Sequence, residues 1–420
     1  MAIAEMISPE EARELVLSVV SPLEAEEVPL LEAVGRVAAQ PVVSDIDVTA
    51  FNNSAMDGFA MRAQQLEGAS PESPVELDVI AEVAAGDFFH GVIQEGQCVR
   101  IMTGAAVPES ADAVVKYEIV GVVEGDGRTG SRVSFTAPVK QGNNIRFAGE
   151  EAKKGQAIIS AGEIIGTAGV GFMASCGATT VKVHRRPTVG IIATGSELVD
   201  PTEYPAEGKI RNSNSYAMAA CALAAGAVPT VLPICKDTLE DLKAAVESAT
   251  QQFDFVITTG GAANGDYDFI KPTVDQLGEL LMVTVNMRPG KAQTFGVVNG
   301  VPVFGLPGNP SAAYCGFELL IRPALRKMQG FSAFARTSVM AQLTQDVRKK
   351  DPRRIYLRAT LTKNDQGQYQ VTPDRNQSSG SFGVIQRSTC LAVMPEGLES
   401  KKAGDLVECI ILDISEDIVI

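Results

Sequence analysis

A chain of 420 residues is too long for a single hydrophobic core and divides into about two to four domains. Its 45% apolar and 21% charged residues are ordinary for a globular protein, and with no tryptophan the core is expected to be aliphatic. A net charge of −15 argues against a nucleic-acid backbone or an anionic membrane as main partner.

Seven scattered cysteines, none in a C-x-x-C pair, read as buried reduced thiols, and two histidines are too few for a zinc enzyme. The first residues show no basic stretch followed by an apolar one, and no run of 18 apolar residues occurs. A cytoplasmic location with no membrane partner is therefore expected.

SPEEARELVLSVV predicts an opening helix, with Ser8 as N-cap, Pro9 at the first helical position and Glu11 closing a capping box. A second helix is expected near residues 30–39, ending before Pro41. From about Asp45 to Gly149 short apolar runs alternate with Gly, Pro and Asp, which predicts an all-β segment. Helical texture returns in EIIGTAGVGFMASCGA. From Arg185 buried apolar strands alternate with helical stretches of about 10 to 15 residues, which predicts a parallel sheet covered on both faces. After Gly330 period-2 stretches such as RIYLRATLT predict a separate β domain.

In open α/β sheets ligands bind beyond the carboxyl ends of the parallel strands, and several of these ends carry polar residues. IIATGSEL places Thr194, Gly195 and Glu197 after a strand. VITTGGAANGDYDF ends a strand on Gly260 and Gly261 and then offers Asp266 and Asp268. FGLPGNPSAAY sets Pro307, Gly308, Asn309, Pro310 and Ser311 where a helix N-terminus would face an anion. Each is either an ordinary strand-to-helix turn or part of a nucleotide or oxyanion site, and their common sheet edge favours the latter. No G-x-x-x-x-G-K-[ST] loop occurs, which excludes a P-loop enzyme.

The glycine-ended strand brings carboxylates but no cation, and cations stand one strand later. In NMRPGKAQTFG, Arg288 and Lys291 flank a Pro-Gly turn, which reads as a solvated turn or as a phosphate or oxyanion holder. The carboxylates are then free to hold a divalent metal against phosphates. FNNSAMDGFAMR around Asp57, RIMTGAAVP around Thr103 and NNIRFAGEE with Arg146 and Glu151 read as capped loops of the β segment on composition alone. VRKKDPRRIYLR reads as a solvated strand edge, or as added positive charge at a site shared between domains.

Taken in order, FNNSAMDGFAMR, RIMTGAAVP, NNIRFAGEE, ATGSEL, TTGG…GDYD, RPGK and LPGNP resemble the molybdopterin molybdenumtransferase family, which includes MoeA, the E domain of gephyrin and the plant Cnx proteins. The resemblance implies a multidomain α/β plus β architecture. Residues 1–44 with 150–184 would form an elongated helical and linker domain, and 45–149 a β-rich inserted domain. Residues 185–329 would form the molybdopterin-binding α/β domain with a mostly parallel sheet, and 330–420 a C-terminal β barrel. It also implies a homodimer with an inter-subunit cleft, Mg²⁺ as cofactor, and adenylylated molybdopterin and molybdate as substrates, with molybdenum cofactor and AMP as products.

The resemblance gives Asp57, Thr103, Glu151, Glu197, Asp237 and Asp268 catalytic places, with Asp237 and Asp268 as metal ligands. Arg146, Thr194, Gly195, Gly260, Gly261, Arg288, Lys291 and the LPGNP segment with Ser311 would bind substrate. Some positions depart from the family pattern. Glu151 stands where Asp is usual, GGAANG where G-G-V-S-V-G is usual, and RPGKA where K-P-G-K-P is usual. Gly383 and Thr389 stand where Ser and Asn are more frequent. A paralogue that binds molybdopterin or acts as a scaffold without turnover is the alternative.

Overall fold

Successive side chains of a strand point to opposite faces, and the apolar runs after Arg185 use both. The computed structural model describes residues 6–260 and 269–412. In it Val189 and Ile191, Phe255 and Ile257, and Phe304 and Leu306 enter one core, while Ile192, Val256 and Val303 enter another. These strands form a six-stranded sheet in the order Val228–Val231, Thr188–Ala193, Phe255–Thr259, Val301–Leu306, Ala292–Val298, Gly278–Thr284. The first four are mutually parallel and the last two join antiparallel. Helices Asn214–Ala224 and Pro310–Gly316 supply Met218, Ala222 and Ala313 to the first core. Leu239–Thr250 and Ile270–Leu277 supply Leu242, Val246, Ile270 and Val274 to the second.

Beyond this sheet, five strands close into a barrel: Arg354–Lys363, Tyr369–Pro373, Ser338–Leu343, Leu406–Ile411 and Cys390–Met394, the last pairing back onto the first. A short strand, Met287–Arg288, pairs with Arg354–Ile355 on its rim. The barrel also shares a core with the α/β sheet, because Tyr356, Leu391 and Val393 belong to the cluster of Phe304 and Leu306. The expected fold class, α/β with a C-terminal β barrel, is found.

The chain divides into two compact units: residues 27–183, and residues up to Glu26 together with those from His184 on. The opening helix, Pro9–Ser18, has the expected capping box, with Glu11 N donating to Ser8 Oγ at 3.2 Å and Ser8 N to Glu11 Oε2 at 2.8 Å. Its Ala12 and Val16 pack with the α/β core, so it does not join residues 150–184 as the linker reading expected. Later parts of that linker do share a small core, in which Val28, Ala33 and Ala38 meet Ile159, Ile165, Met173 and Val181. The helix expected over residues 30–39 is one 3₁₀ turn, Leu30–Ala33. Gly35 at φ +75° takes the left-handed conformation that ends it.

The 27–183 unit carries a six-stranded sheet in the order Ala113–Lys116, Gly58–Met61, Gln97–Ile101, Val75–Val83, Arg132–Phe135, Gly121–Glu124. All seven cysteines are free and five are buried. No helix among the described residues is long and apolar enough to cross a membrane.

One polar clamp holds the register of the two central parallel strands. Asp254 accepts Arg185 Nη1 and Nη2 at 2.7 and 2.8 Å, and Thr188 N and Oγ1 at 2.8 and 2.7 Å. Burial alone would raise the Asp254 pKa, but the Arg185 fork and the Thr188 donors outweigh it and the net shift is downward. A depressed carboxylate stabilises the fold fully above its unfolded pKa of about 4 and loses that contribution as pH falls through its folded value. Asp254→Asn is therefore expected to lower the denaturant midpoint at pH 7, with a gap to the parent that narrows below about pH 4.

Candidate active site

Three strand ends converge at one edge of the α/β sheet. Thr194 follows the first strand, Gly260 ends the second and Pro307-Gly308-Asn309 follows the third. Gly260 sits at φ +89°, and a Cβ there would lie 2.1 Å from the carbonyl oxygen of Thr194. Glycine is required at this point by both conformation and space. Asn214 Nδ2 ties two of the ends together, donating to Thr259 Oγ1 at 2.9 Å and to the Gly308 carbonyl at 2.8 Å. Thr194 Oγ1 donates to Asp237 Oδ1 at 3.1 Å.

These ends form one wall of a cavity of about 1200 Å³. Thr194, Gly195, Glu197, Asp237, Gly260, Arg288, Lys291, Pro307, Gly308 and Asn309, all read from the sequence as site residues, line it. The other wall comes from the barrel: Arg348, Lys350, Arg353 and Arg358, with Gln377, Ser378 and Ser379. The described lining thus holds six cations, four of them from the barrel side, against the two carboxylates Glu197 and Asp237. On a chain of net charge −15, this is a local reversal that selects anions.

Arg358 is the most deeply placed of these cations, 2% exposed. Gln377 fixes its backbone, accepting from Arg358 N at 3.1 Å and donating to Arg358 O at 2.9 Å, and Arg358 Nη2 donates to the Ser378 carbonyl at 3.2 Å. Its Nε is buried without a hydrogen-bond partner. Burial lowers its pKa, with Arg288 among the smaller contributions in the same direction. A deeply set guanidinium on the wall of a large cavity, held by the Ser378 carbonyl, presents a fixed positive charge to an anion. Of the run VRKKDPRRIYLR, which reads as a solvated edge or as added charge at a site, the cations Arg348, Lys350, Arg353 and Arg358 line the cavity.

The LPGNP segment behaves differently from expectation. Asn309 is the N-cap and Pro310 occupies the first turn of a seven-residue helix. Ser311 is buried and its N–H donates to the Ser379 carbonyl at 2.8 Å. The terminus expected to hold an anion thus docks the Ser378–Ser379 loop, while Pro307, Gly308 and Asn309 keep their place on the cavity wall. Gly261, Asp266 and Asp268 lie outside the described residues.

A second constellation lies in the 27–183 unit. Asp57 Oδ1 accepts the N–H and the hydroxyl of Thr103, both at 2.7 Å. These bonds, the hydroxyl first, lower the Asp57 pKa and keep an exposed carboxylate ionised and fixed. Arg146 pairs through its backbone with Asn53, and Glu151 N donates to the Val48 carbonyl. Both side chains are exposed.

For a divalent metal, the described residues contain no group of three or more His, Cys, Asp or Glu side chains placed to hold one. Mg²⁺ keeps several waters and takes one or two carboxylates plus substrate phosphates. Asp237 with Glu197 on the same wall fits that donor set.

The wall's dependence on Gly260 is open to test. Gly260→Ala is expected to lower the thermal midpoint, since the left-handed conformation alone costs about 1–2 kcal/mol outside glycine. Titration with tungstate should show weakened anion binding as Thr194 is pushed from its place.

Family models match the chain in three consecutive segments. The MoeA N-terminal region (domain I and II) covers residues 7–177, a probable molybdopterin binding domain covers 190–327, and the MoeA C-terminal region (domain IV) covers 340–412. The molybdopterin molybdenumtransferase of Staphylococcus epidermidis is 37% identical over 385 residues, 91% of this chain and 90% of that one. That of Bacillus subtilis is 37% identical over 390 residues, 93% of this chain and 90% of that one. The crystal structure of the molybdopterin biosynthesis moeA protein of Pyrococcus horikoshii matches with a TM-score of 0.82 at 29% identity, covering 97% of this chain and 100% of that one. The chain belongs to the molybdopterin molybdenumtransferase family.

Proposed function

We propose that this chain transfers molybdenum from molybdate to adenylylated molybdopterin and releases AMP. The observation that carries the reading is the cavity with a carboxylate wall from the sheet and a cationic wall from the barrel, in which the 2% exposed Arg358 is held to the Ser378 carbonyl through Nη2. A volume of about 1200 Å³ is far larger than a tetrahedral oxyanion needs and leaves room for a pterin-sized partner.

The roles follow from charge and position. Arg358, Arg288 and Lys291 bind and orient the oxyanion by charge-assisted hydrogen bonds, with Ser378 and Ser379 beside them. Gly260 and Gly308 allow backbone to approach the pterin closely. Asp237 and Glu197 would hold Mg²⁺, which when bound supplies positive charge against the phosphates at the bond that breaks. No protein nucleophile is needed, so catalysis is mainly positioning and electrostatic stabilisation. Asp57, fixed by Thr103, contributes a carboxylate to the cleft that a homodimer of this chain would form between subunits.

Purified protein is expected to release AMP from adenylylated molybdopterin only when both molybdate and Mg²⁺ are supplied, with active cofactor formed. Tight pterin binding without AMP release under any oxyanion would instead establish a binding or scaffold role. Arg358→Ala is expected to lower kcat/KM by about 10²–10³ with the fold retained, the range seen when one preorganised donor to a reacting group is lost. Asp57→Asn should also lower turnover, with only a small fall in the unfolding midpoint, because Asn keeps an oxygen that can accept from Thr103.

A further inference from the structure

The basic wall of the cavity is backed by a carboxylate that anion binding alone does not call for. Asp351 stands between Arg288 of the RPGK turn and Arg353 at the barrel rim, with its side chain 12% exposed. Its Oδ2 accepts from Arg353 Nη2 and, at 3.2 Å, from Arg288 Nη1. Its Oδ1 accepts from Arg353 Nε at 2.9 Å and from the Arg353 backbone N–H at 3.0 Å. Both arginines line the cavity and Asp351 does not. Arg353 Nη1 also reaches the Met287 carbonyl at 3.4 Å, next to the point where Met287–Arg288 pairs with Arg354–Ile355.

By charge alone, a negative group so near an anion site weakens anion binding. It does so to less effect if it removes another obstacle. Arg288 has a side chain 56% exposed on a two-residue strand, and a free arginine gives up much rotamer freedom when an anion fixes it. Arg288 also repels Arg358. A shared counter-charge fixes Arg288 and Arg353 in advance and relieves that repulsion.

We propose that Asp351 is a positioning residue that clips Arg288 to Arg353, so that the two guanidiniums meet the oxyanion substrate as one fixed pair. The proposal rests on the reading that this cavity takes an oxyanion, and it assigns a role to a residue outside the acidic set read from the sequence. Arg353 Nε and Nη2 and one Arg288 Nη1 proton face the clip and Arg353 Nη1 reaches the Met287 carbonyl, which leaves the other Arg288 donors and the second protons of Arg353 Nη1 and Nη2 for the ligand.

The sign of the effect separates positioning from simple electrostatics. Asp351→Asn removes a negative charge from the wall, which by itself would tighten oxyanion binding. If the clip matters, calorimetric titration with molybdate and with tungstate should instead show affinity weakened by roughly tenfold, and Asp351→Glu should recover most of it. In turnover assays the molybdate KM should rise by about the same factor, with kcat and the KM for adenylylated molybdopterin little changed. Equal or tighter oxyanion binding by Asp351→Asn would overturn the proposal. So would Asp351→Asn and Asp351→Glu variants that both melt early and lose all activities together, because that marks a purely structural group. Molybdate-dependent AMP release that Asp351→Asn leaves untouched overturns the clip alone. Clip-dependent tungstate binding in a protein that never releases AMP overturns the proposed reaction and leaves the clip standing.

Discussion

The cavity exists because two residues of the α/β region hydrogen-bond to the barrel. Met287–Arg288 lies in parallel register with Arg354–Ile355, and this short ladder sets the RPGK turn against the barrel rim. Without it the strand ends at Thr194, Gly260 and Gly308 would face solvent, as strand ends of open sheets commonly do. With it they face Arg353 and Arg358. The shared core of Phe304, Leu306, Tyr356 and Leu391 makes that apposition stiff, so the positions of the charges follow from packing.

Charge is then arranged in layers. Carboxylates stand at the sheet's strand ends. Cations come from the barrel and from the turn pinned to it. The separation matters because a carboxylate lining the basic wall would take the donors a ligand needs, whereas Asp351 stands outside the lining and takes only some of them. Arg185 and Asp254 show that outcome elsewhere in the chain, where four hydrogen bonds, two from the Arg185 fork and two from Thr188, satisfy the carboxylate and the pair serves only the fold.

Much of this was legible in the sequence, for identifiable reasons. Buried parallel strands are continuous apolar runs, so the sheet and the edge that bears Thr194, Glu197 and Gly260 could be read directly, whereas Asp237 came only through the resemblance. Ser8 and Glu11 announce their helix because a capping box is local. The helix over residues 30–39 was misread because apolar spacing says nothing of Gly35 turning left-handed. Arg358 was legible only as the end of a basic run with two readings, because burial of an arginine depends on a barrel closing around it, and strand alternation predicts only that some residue faces in. Asp57 and Thr103 are far apart in sequence, so their pairing is tertiary information. The Ser311 N–H was assigned to a ligand because the loop that accepts it lies in another domain. Residues 261–265 of GGAANG, which carry one of the departures from the family pattern, lie outside the described residues.

The order of the chain adds a consequence for synthesis on the ribosome. The α/β sheet is complete once Leu306 has emerged, whereas Arg358 and the Ser378 loop follow later. At about 5–20 residues per second, the sheet waits at least several seconds for its partner. In that interval the side of its core that later meets Tyr356, Leu391 and Val393 is bare, and no anion can be held between the walls. The arriving barrel brings Tyr356, Leu391 and Val393 onto this surface and completes the cavity at the same time.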